Sequence, residues 1–126
     1  MSLVSLLLLC TGGALGAVAR YTISRLGALA APKLKFPAPT LFVNVTGSAL
    51  LGLLFALVDP DLTAMIDAPL LLFAGVGFCG AYTTFSSFCT ETIALIGKNP
   101  AMAALYVLAS ITGSIAAFVA AFSMLN

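Results

Sequence analysis

The chain has no histidine and no tryptophan, and only five Lys or Arg and four Asp or Glu in its 126 residues. A soluble protein of this length needs far more charge to cover its surface, so the composition excludes that class. The formal net charge is +1, which leaves no basic patch for phosphates and excludes a nucleic-acid partner. The hydrophobic share of 62% instead predicts a protein that lies in the lipid bilayer.

The sequence also has little that can carry covalent or metal chemistry. Cys10, Cys79 and Cys89 fall within apolar stretches, with neither a metal-ligand nor a redox spacing. Each is therefore interpreted as a small apolar residue. Because no nucleophile–base pair or metal cluster can be assembled from the remaining residues, we expect no enzyme activity.

Four apolar stretches are each close to the roughly 20 residues that cross the hydrocarbon core of a bilayer. They predict spans at about residues 3–24, 40–58, 69–97 and 100–125. Asp59-Pro60-Asp61 ends the second span, and Asp67-Ala68-Pro69 opens the third. The loops are too short for a second domain. The sequence thus predicts one all-α, multi-pass membrane domain over residues 1–126.

The stretch from Gly75 to Phe88, GVGFCGAYTTFSSF, places three glycines, two threonines and two serines at mid-membrane depth. Glycine weakens a helix, and broken backbone survives in a bilayer only where it is buried in protein or lines a water-filled cavity. The pattern predicts a third helix that is broken near mid-membrane, at Gly80–Thr83. It also indicates a functional site beside the break.

Polar residues recur at helical spacing on the spans. The faces are Gly12, Gly16 and Arg20 on span one, Thr40, Asn44, Gly47 and Ser48 on span two, Thr84, Ser87, Phe88 and Glu91 on span three, and Tyr106, Ser110, Gly113 and Ser114 on span four. Small and polar residues also promote helix packing, which is favoured for Gly12 and Gly16. The face from Thr84 to Glu91 favours a path for an ion, because a phenylalanine ring edge is positive and can stabilise an anion.

Arg20 and Glu91 are the charges near the membrane proper, and both lie toward helix ends. Ionisable residues in a membrane are costly and usually mark a pathway, with snorkelling or a structural ion pair as the alternative. No acid or histidine lies at mid-span, where a proton-coupled antiporter needs one.

Three segments resemble the signature segments of one known family. They are GGALGAVARY at 12–21, TLFVNVTGS at 40–48 and GFCGAYTTFSSF at 77–88. In this order, on four spans, they resemble the Fluc (CrcB) fluoride channels over essentially the whole chain. The resemblance implies a passive fluoride channel of a bacterial or archaeal inner membrane, which exports fluoride to relieve its toxicity. It also implies an antiparallel, dual-topology homodimer with two pores.

The resemblance assigns roles to particular residues. Phe85 and Phe88 would meet fluoride with their ring edges, and Asn44 would be the pore amide. The other implied residues are Thr40, Ser87 and Tyr106 in the polar track, Arg20 in the vestibule, Glu91 near the far pore mouth, and Gly80 and Thr83, whose backbone carbonyls would hold a central structural Na⁺ between two subunits.

The sequence leaves alternatives open for both the orientation and the function of the chain. Every Lys and Arg falls on one side of the predicted topology, which places the first and third loops in the cytoplasm. Dual topology needs a weak Lys/Arg bias between the two sides of the membrane. The alternative to a homodimer is therefore a chain of fixed orientation that pairs with an oppositely oriented relative. The alternative functions are a small multidrug-type transporter, whose span-one acid is missing here, and a structural subunit of a membrane complex.

Overall fold

The computed structural model describes residues 2–30, 35–58 and 68–125. Within that part of the chain, four helical spans are long and apolar enough to cross a membrane, which confirms the predicted all-α architecture. They are α1 (Leu3–Ala30), α2 (Ala38–Leu57), a third span (Leu71–Ile96) made of α3 (residues 71–82) and α4 (Phe85–Ile96), and α5 (Pro100–Ser123).

Local sequence explains where several helices begin. Proline is tolerated in the first helical turn because the N–H that it lacks has no partner there, and α2 has Pro39 and α5 has Pro100 at such positions. Asn99 caps α5, since its Oδ1 accepts a hydrogen bond from the backbone N–H of Met102 at 3.1 Å. The acidic boundaries predicted at Asp59–Asp61 and at Asp67 lie outside the described residues, as does Lys33.

The first helix is longer than its predicted span. It has 28 residues and continues to Ala30, six residues past the predicted boundary at residue 24. At 1.5 Å per residue its length is about 42 Å, which exceeds the roughly 30 Å of the hydrocarbon core. The last turns of α1, including exposed Arg25, therefore extend toward the interface.

The third span is irregular over its first half and interrupted at its centre. Leu71–Cys79 is π-helical and Gly80–Tyr82 is a single α-helical turn. Thr83 (φ −80°, ψ 162°) and Thr84 (φ −151°, ψ 123°) are extended, and α4 follows. The prediction that the break begins at Gly80 is wrong, because Gly80 is helical at φ −62° and ψ −35°. The interruption is a feature of the two threonines, and no described glycine has a positive φ.

The glycines serve close helix contact instead. A Cβ on Gly12 would overlap the carbonyl oxygen of Phe73, and one on Gly16 would overlap the carbonyl oxygen of Phe78. The backbones of α1 and α3 thus touch directly, as small residues allow in membrane helix pairs. The packing interpretation of Gly12 and Gly16 is confirmed.

The remaining packing leaves one inner face for polar groups. Helix α2 packs mainly against α5, α1 packs mainly against α3, and α4 lies against α5. A buried apolar cluster of Leu54, Leu71 and Cys79 joins α2 to α3, and a second cluster of Leu95, Ala103 and Tyr106 joins α4 to α5. The polar residues between these clusters consequently lie on a face shared by α2, α4 and α5.

We expect Gly12→Ala to destabilise the fold and Gly13→Ala to be tolerated. The added methyl group at Gly12 would collide with backbone, whereas the nearest atom to a Cβ on Gly13 is 3.9 Å away. Overpacking of this kind costs about 1–3 kcal/mol. Thermal unfolding of the detergent-purified variants measures the difference, and equal melting temperatures would contradict the backbone contact.

Candidate functional site

The interruption of the third span is held by the side chain of Asn44 on α2. The backbone N–H of Thr84 donates to Asn44 Oδ1 at 2.8 Å, and Asn44 Nδ2 donates to the carbonyl oxygen of Thr84 at 3.0 Å. An unpaired backbone group in a bilayer costs several kcal/mol, and one amide side chain satisfies two of them here. Asn44 is therefore the partner that permits a broken helix at this depth.

Thr84 in turn caps the helix that restarts after the break. Its hydroxyl accepts the backbone N–H of Ser87 at 3.2 Å and donates to Ser87 Oγ at 3.2 Å. The first turn of a helix carries unpaired N–H groups and the positive end of the helix dipole, which favour an anion nearby. The amino-terminal end of α4 thus opens at mid-membrane with its donors beside Phe85 and Phe88.

The same hydrogen bonds release carbonyl groups on the other side of the break. In a continuous helix the N–H of Thr84 would donate to the carbonyl of Gly80, and that of Ser87 to the carbonyl of Thr83. Asn44 and the Thr84 hydroxyl take these donors instead. Unwound carbonyls at the end of a half-helix are suited to Na⁺.

The surroundings of Gly80 and Thr83 fit a cation held by backbone oxygens. Gly80 is exposed, and nothing lies within 4 Å of the position a Cβ would take. Among the described residues, no group of three or more His, Cys, Asp or Glu side chains could hold a metal ion. A cation at this place would accordingly depend on the backbone and on a second source of oxygen ligands.

A central cavity of about 380 Å³ lies against the break. Its lining brings together Asn44 of α2, Thr83 and Thr84 of the break, Phe85 and Phe88 of α4, and Ser110 of α5. Of these, Ser110 is 6% exposed, and its Oγ has no hydrogen-bond partner among the described residues. A buried hydroxyl without a partner is a donor that remains available to a ligand.

Aromatic rings continue from this cavity toward the end of the bundle where α4 ends and α5 begins. The ring centroids of Phe85 and Phe88 are 5.7 Å apart, and those of Phe88 and Tyr106 are 5.5 Å apart. Phe36, before α2, meets Tyr106 edge-on at 5.5 Å. Four rings from three parts of the chain therefore form one continuous row.

A carboxylate ends the row. Thr40 Oγ1 donates to Glu91 Oε1 at 2.8 Å, and the hydroxyl of Tyr106 donates to Glu91 Oε2 at 2.7 Å. Thr40 and Tyr106 are buried, with exposed fractions of 6% and 0%. The three residues come from α2, α4 and α5, so the carboxylate joins the three helices that enclose the polar face.

The structure brings most of the sequence-predicted residues together, with one exception. Thr40, Asn44, Ser87, Phe88, Glu91 and Tyr106 share the face between α2, α4 and α5, and Phe85, Gly80 and Thr83 line its cavity or flank the break. Arg20 is half-buried on α1 and is not among the residues that line the central cavity. Its vestibule role stays a prediction.

Ser110 and Phe36 are not among the residues predicted for the site. Ser110 lies on the polar face recognised on span four, four residues after Tyr106, so its spacing could have identified it. Phe36 precedes the second span in a proline-containing segment, and no periodicity indicates that its ring reaches Tyr106. The structure adds both to the site.

Comparison with known proteins gives a consistent result. The family model described as "CrcB-like protein, Camphor Resistance (CrcB)" matches residues 7–122. "Fluoride-specific ion channel FluC 1" of Halalkalibacterium halodurans is 41% identical over 121 residues, which cover 94% of this chain and 95% of that protein. "Fluoride-specific ion channel FluC" of Anaeromyxobacter dehalogenans is 46% identical over 118 residues, which cover 92% and 90%. The protein of the same name from Agrobacterium fabrum is 41% identical over 124 residues, which cover 97% and 96%.

Removal of the Asn44 amide should destabilise the protein more than removal of a neighbouring polar group. Asn44→Ala leaves the N–H and the carbonyl of Thr84 unpaired, at about 1–3 kcal/mol each. Ser48→Ala removes a hydroxyl from the same face of α2 without unpairing backbone. Thermal unfolding in detergent compares the two variants, and an Asn44→Ala protein as stable as Ser48→Ala would contradict the role of the amide.

Proposed function

As a member of the CrcB family, this chain is a fluoride channel and not an enzyme, and we propose that fluoride crosses the membrane between α2, α4 and α5. The observation that supports this path most directly is the central cavity, which is lined by Ser110, with its unpartnered hydroxyl, by the two threonines of the break, and by the rings of Phe85 and Phe88. Because the chain belongs to this family, the alternative functions of a multidrug-type transporter and of a structural subunit no longer apply.

The chemistry of this lining suits a small anion with a strongly held hydration shell. A narrow path must replace that water with hydrogen-bond donors and positive ring edges. Ser110 offers a hydroxyl, α4 offers the N–H groups of its first turn, and Phe85 and Phe88 offer ring edges at successive positions. Fluoride would pass from the central cavity along the rings, by Ser87 and Tyr106, to the mouth at Thr40 and Glu91.

Glu91 has a defined place in this path. Its two oxygens accept hydrogen bonds from Thr40 and Tyr106, which orient both donor groups toward the carboxylate. In this arrangement Glu91 positions the mouth of the pathway, and an arriving anion competes with the carboxylate for the same two hydroxyls. Arg20, on α1, would add positive charge to the vestibule.

The exposed side of the site supports a homodimer. Phe85 is 77% exposed, and Gly80 and Ser86 are exposed as well. A lone chain would present a pore ring and polar backbone to lipid at mid-membrane, which a second copy would cover. The interruption falls at the centre of the 26-residue third span. A two-fold axis in the membrane plane would therefore bring two interruptions to the same depth, as an antiparallel dimer with two pores requires.

A structural Na⁺ fits the centre of that dimer. The carbonyls of Gly80 and Thr83 from each of two copies would supply the oxygen ligands, because Asn44 and Thr84 divert their helical donors. The ion would contribute positive charge that holds the two broken helices together. The relatives named above are bacterial, and we place this multi-pass protein in the inner membrane, where passive export of fluoride relieves its toxicity.

Fluoride efflux from liposomes tests the channel and its rings together. Liposomes with the purified protein should release fluoride and retain chloride, and Phe85→Ile or Phe88→Ile should slow the release. The loss of one ring edge is expected to slow it about tenfold, which corresponds to about 1.4 kcal/mol on the barrier.

Phe42→Ile is the matched control, because Phe42 is exposed on α2 and does not line the central cavity. Its efflux should equal that of the unchanged protein. Fluoride retention by the unchanged protein would refute the channel, and unchanged efflux in both ring variants would refute the ring-edge path.

Chemical labelling at one exposed position after the third span tests dual topology. Lys98→Cys, in a protein whose Cys10, Cys79 and Cys89 are replaced by alanine, should react with a membrane-impermeant maleimide from both faces of the membrane. Similar labelling from each side is expected if the two copies insert in opposite orientations. Labelling from a single face would show a fixed orientation.

A further inference from the structure

A second cavity, the mouth cavity, lies where the segment before α2 meets the turn after α4. Its volume is about 650 Å³, and its lining includes Lys35, Phe36, Glu91 and Lys98. Glu91 forms part of its inner wall, and the carboxylate there meets Thr40 and Tyr106. Since Lys35 and Lys98 are exposed, the cavity is open to water at the lysine end.

The backbone under each lysine is fixed by its neighbours. Phe36 meets the Tyr106 ring edge-on at 5.5 Å, and its carbonyl accepts the N–H of Ala38 at 2.8 Å, which fixes the backbone next to Lys35. The N–H groups of Lys98 and Asn99 both donate to the carbonyl of Leu95, at 3.0 and 2.7 Å. Both exposed lysines, which line the cavity, are therefore attached to backbone that is held in place.

The charges of the lining favour an anion. A carboxylate alone at the inner wall would repel an approaching anion, and the two lysines outweigh it by one positive charge. The other walls are mostly apolar, with Phe36, Leu95 and Met102 among them. Low-dielectric walls focus the field of charges that line a cleft and raise the local concentration of the attracted ion.

We propose that the mouth cavity is an anion antechamber, in which Lys35 and Lys98 concentrate small hydrated monovalent anions in front of Thr40, Glu91 and Tyr106. The inference rests on the proposed function, because a higher local concentration of anions helps transport only if the protein conducts fluoride. At about 650 Å³ the cavity has room for a small anion together with hydration water. The antechamber thus raises the supply of anions, while discrimination among them belongs to the narrow path beyond it.

The phosphate of an anionic lipid could also meet two lysines at a membrane boundary. The inner wall argues against it, because the Glu91 carboxylate would face the phosphate and a bound lipid would close the path. The lipid remains an outcome that the experiment can reveal.

Fluoride efflux at two ionic strengths tests the antechamber. In liposomes of neutral lipid, Lys35→Gln/Lys98→Gln should slow efflux about threefold at 0.01 M salt, where the Debye length is about 30 Å, and have little effect at about 1 M, where it is about 3 Å. Arg25→Gln is the matched control, because Arg25 is a cation at the same end of the bundle but does not line the cavity. Its effect at low salt should be smaller than that of either single lysine variant.

Equal slowing at both ionic strengths would overturn the proposal, because it would indicate a structural role for the lysines. Unchanged efflux of the double variant at low salt would also overturn the proposal. A rate that depends on anionic lipid in the unchanged protein, and loses that dependence in the double variant, would assign the rim to a lipid phosphate instead.

Quenching of a single tryptophan tests the antechamber without any conduction, so failure of the proposed function can be told apart from failure of this inference. The chain has no tryptophan, and Met102→Trp places one in the wall of the cavity. Iodide should quench its fluorescence about twofold less when both lysines are replaced by glutamine, whereas neutral acrylamide should quench it equally. Equal iodide quenching in the two proteins would overturn the proposal.

Discussion

The hydrogen bonds between the Asn44 side chain and the backbone of Thr84 are the constraint on which the site depends. A bilayer offers no water to unpaired backbone, so a helix can be interrupted at its centre only where another group accepts and donates in its place. Because Asn44 does both, the carbonyl of Gly80 is released on one side of the break. On the other side α4 starts beside the central cavity, where its first turn carries the positive end of the helix dipole. One amide thus separates a cation-attracting end from an anion-attracting end.

Several features of this arrangement could be predicted from the sequence, because each depends on local pattern or composition. Apolar runs close to 20 residues indicate the four spans, and helical spacing indicates the faces that carry Asn44, Ser87 and Tyr106. The presence of a break near mid-membrane followed from the polar, glycine-rich composition of residues 75–88. Small residues at Gly12 and Gly16 indicated a close helix crossing, which the contact with the backbone of α3 confirms.

Other features depend on which helices meet, and a single sequence does not state that. The glycine-rich composition predicts a break over Gly80–Thr83, but the interruption lies at Thr83 and Thr84, where an amide 40 residues earlier in the chain takes the Thr84 N–H. Thr40 and Glu91 are 51 residues apart and share a hydrogen bond that no helical spacing implies. The ring of Phe36 reaches Tyr106 from a segment with no periodic pattern. Roles assigned by resemblance, such as those of Arg20 and of the Na⁺ ligands, concern partners and ions beyond one chain.

The pairing of Asn44 with Thr84 within one chain has a consequence for biogenesis. The second span leaves the ribosome before the third, so the amide is already in the membrane when the two threonines arrive. Each newly made chain can therefore close its own interruption during insertion, without waiting for another subunit. Any later assembly then joins finished surfaces, and its rate is set by the encounter of folded proteins in the plane of the membrane rather than by the completion of a helix.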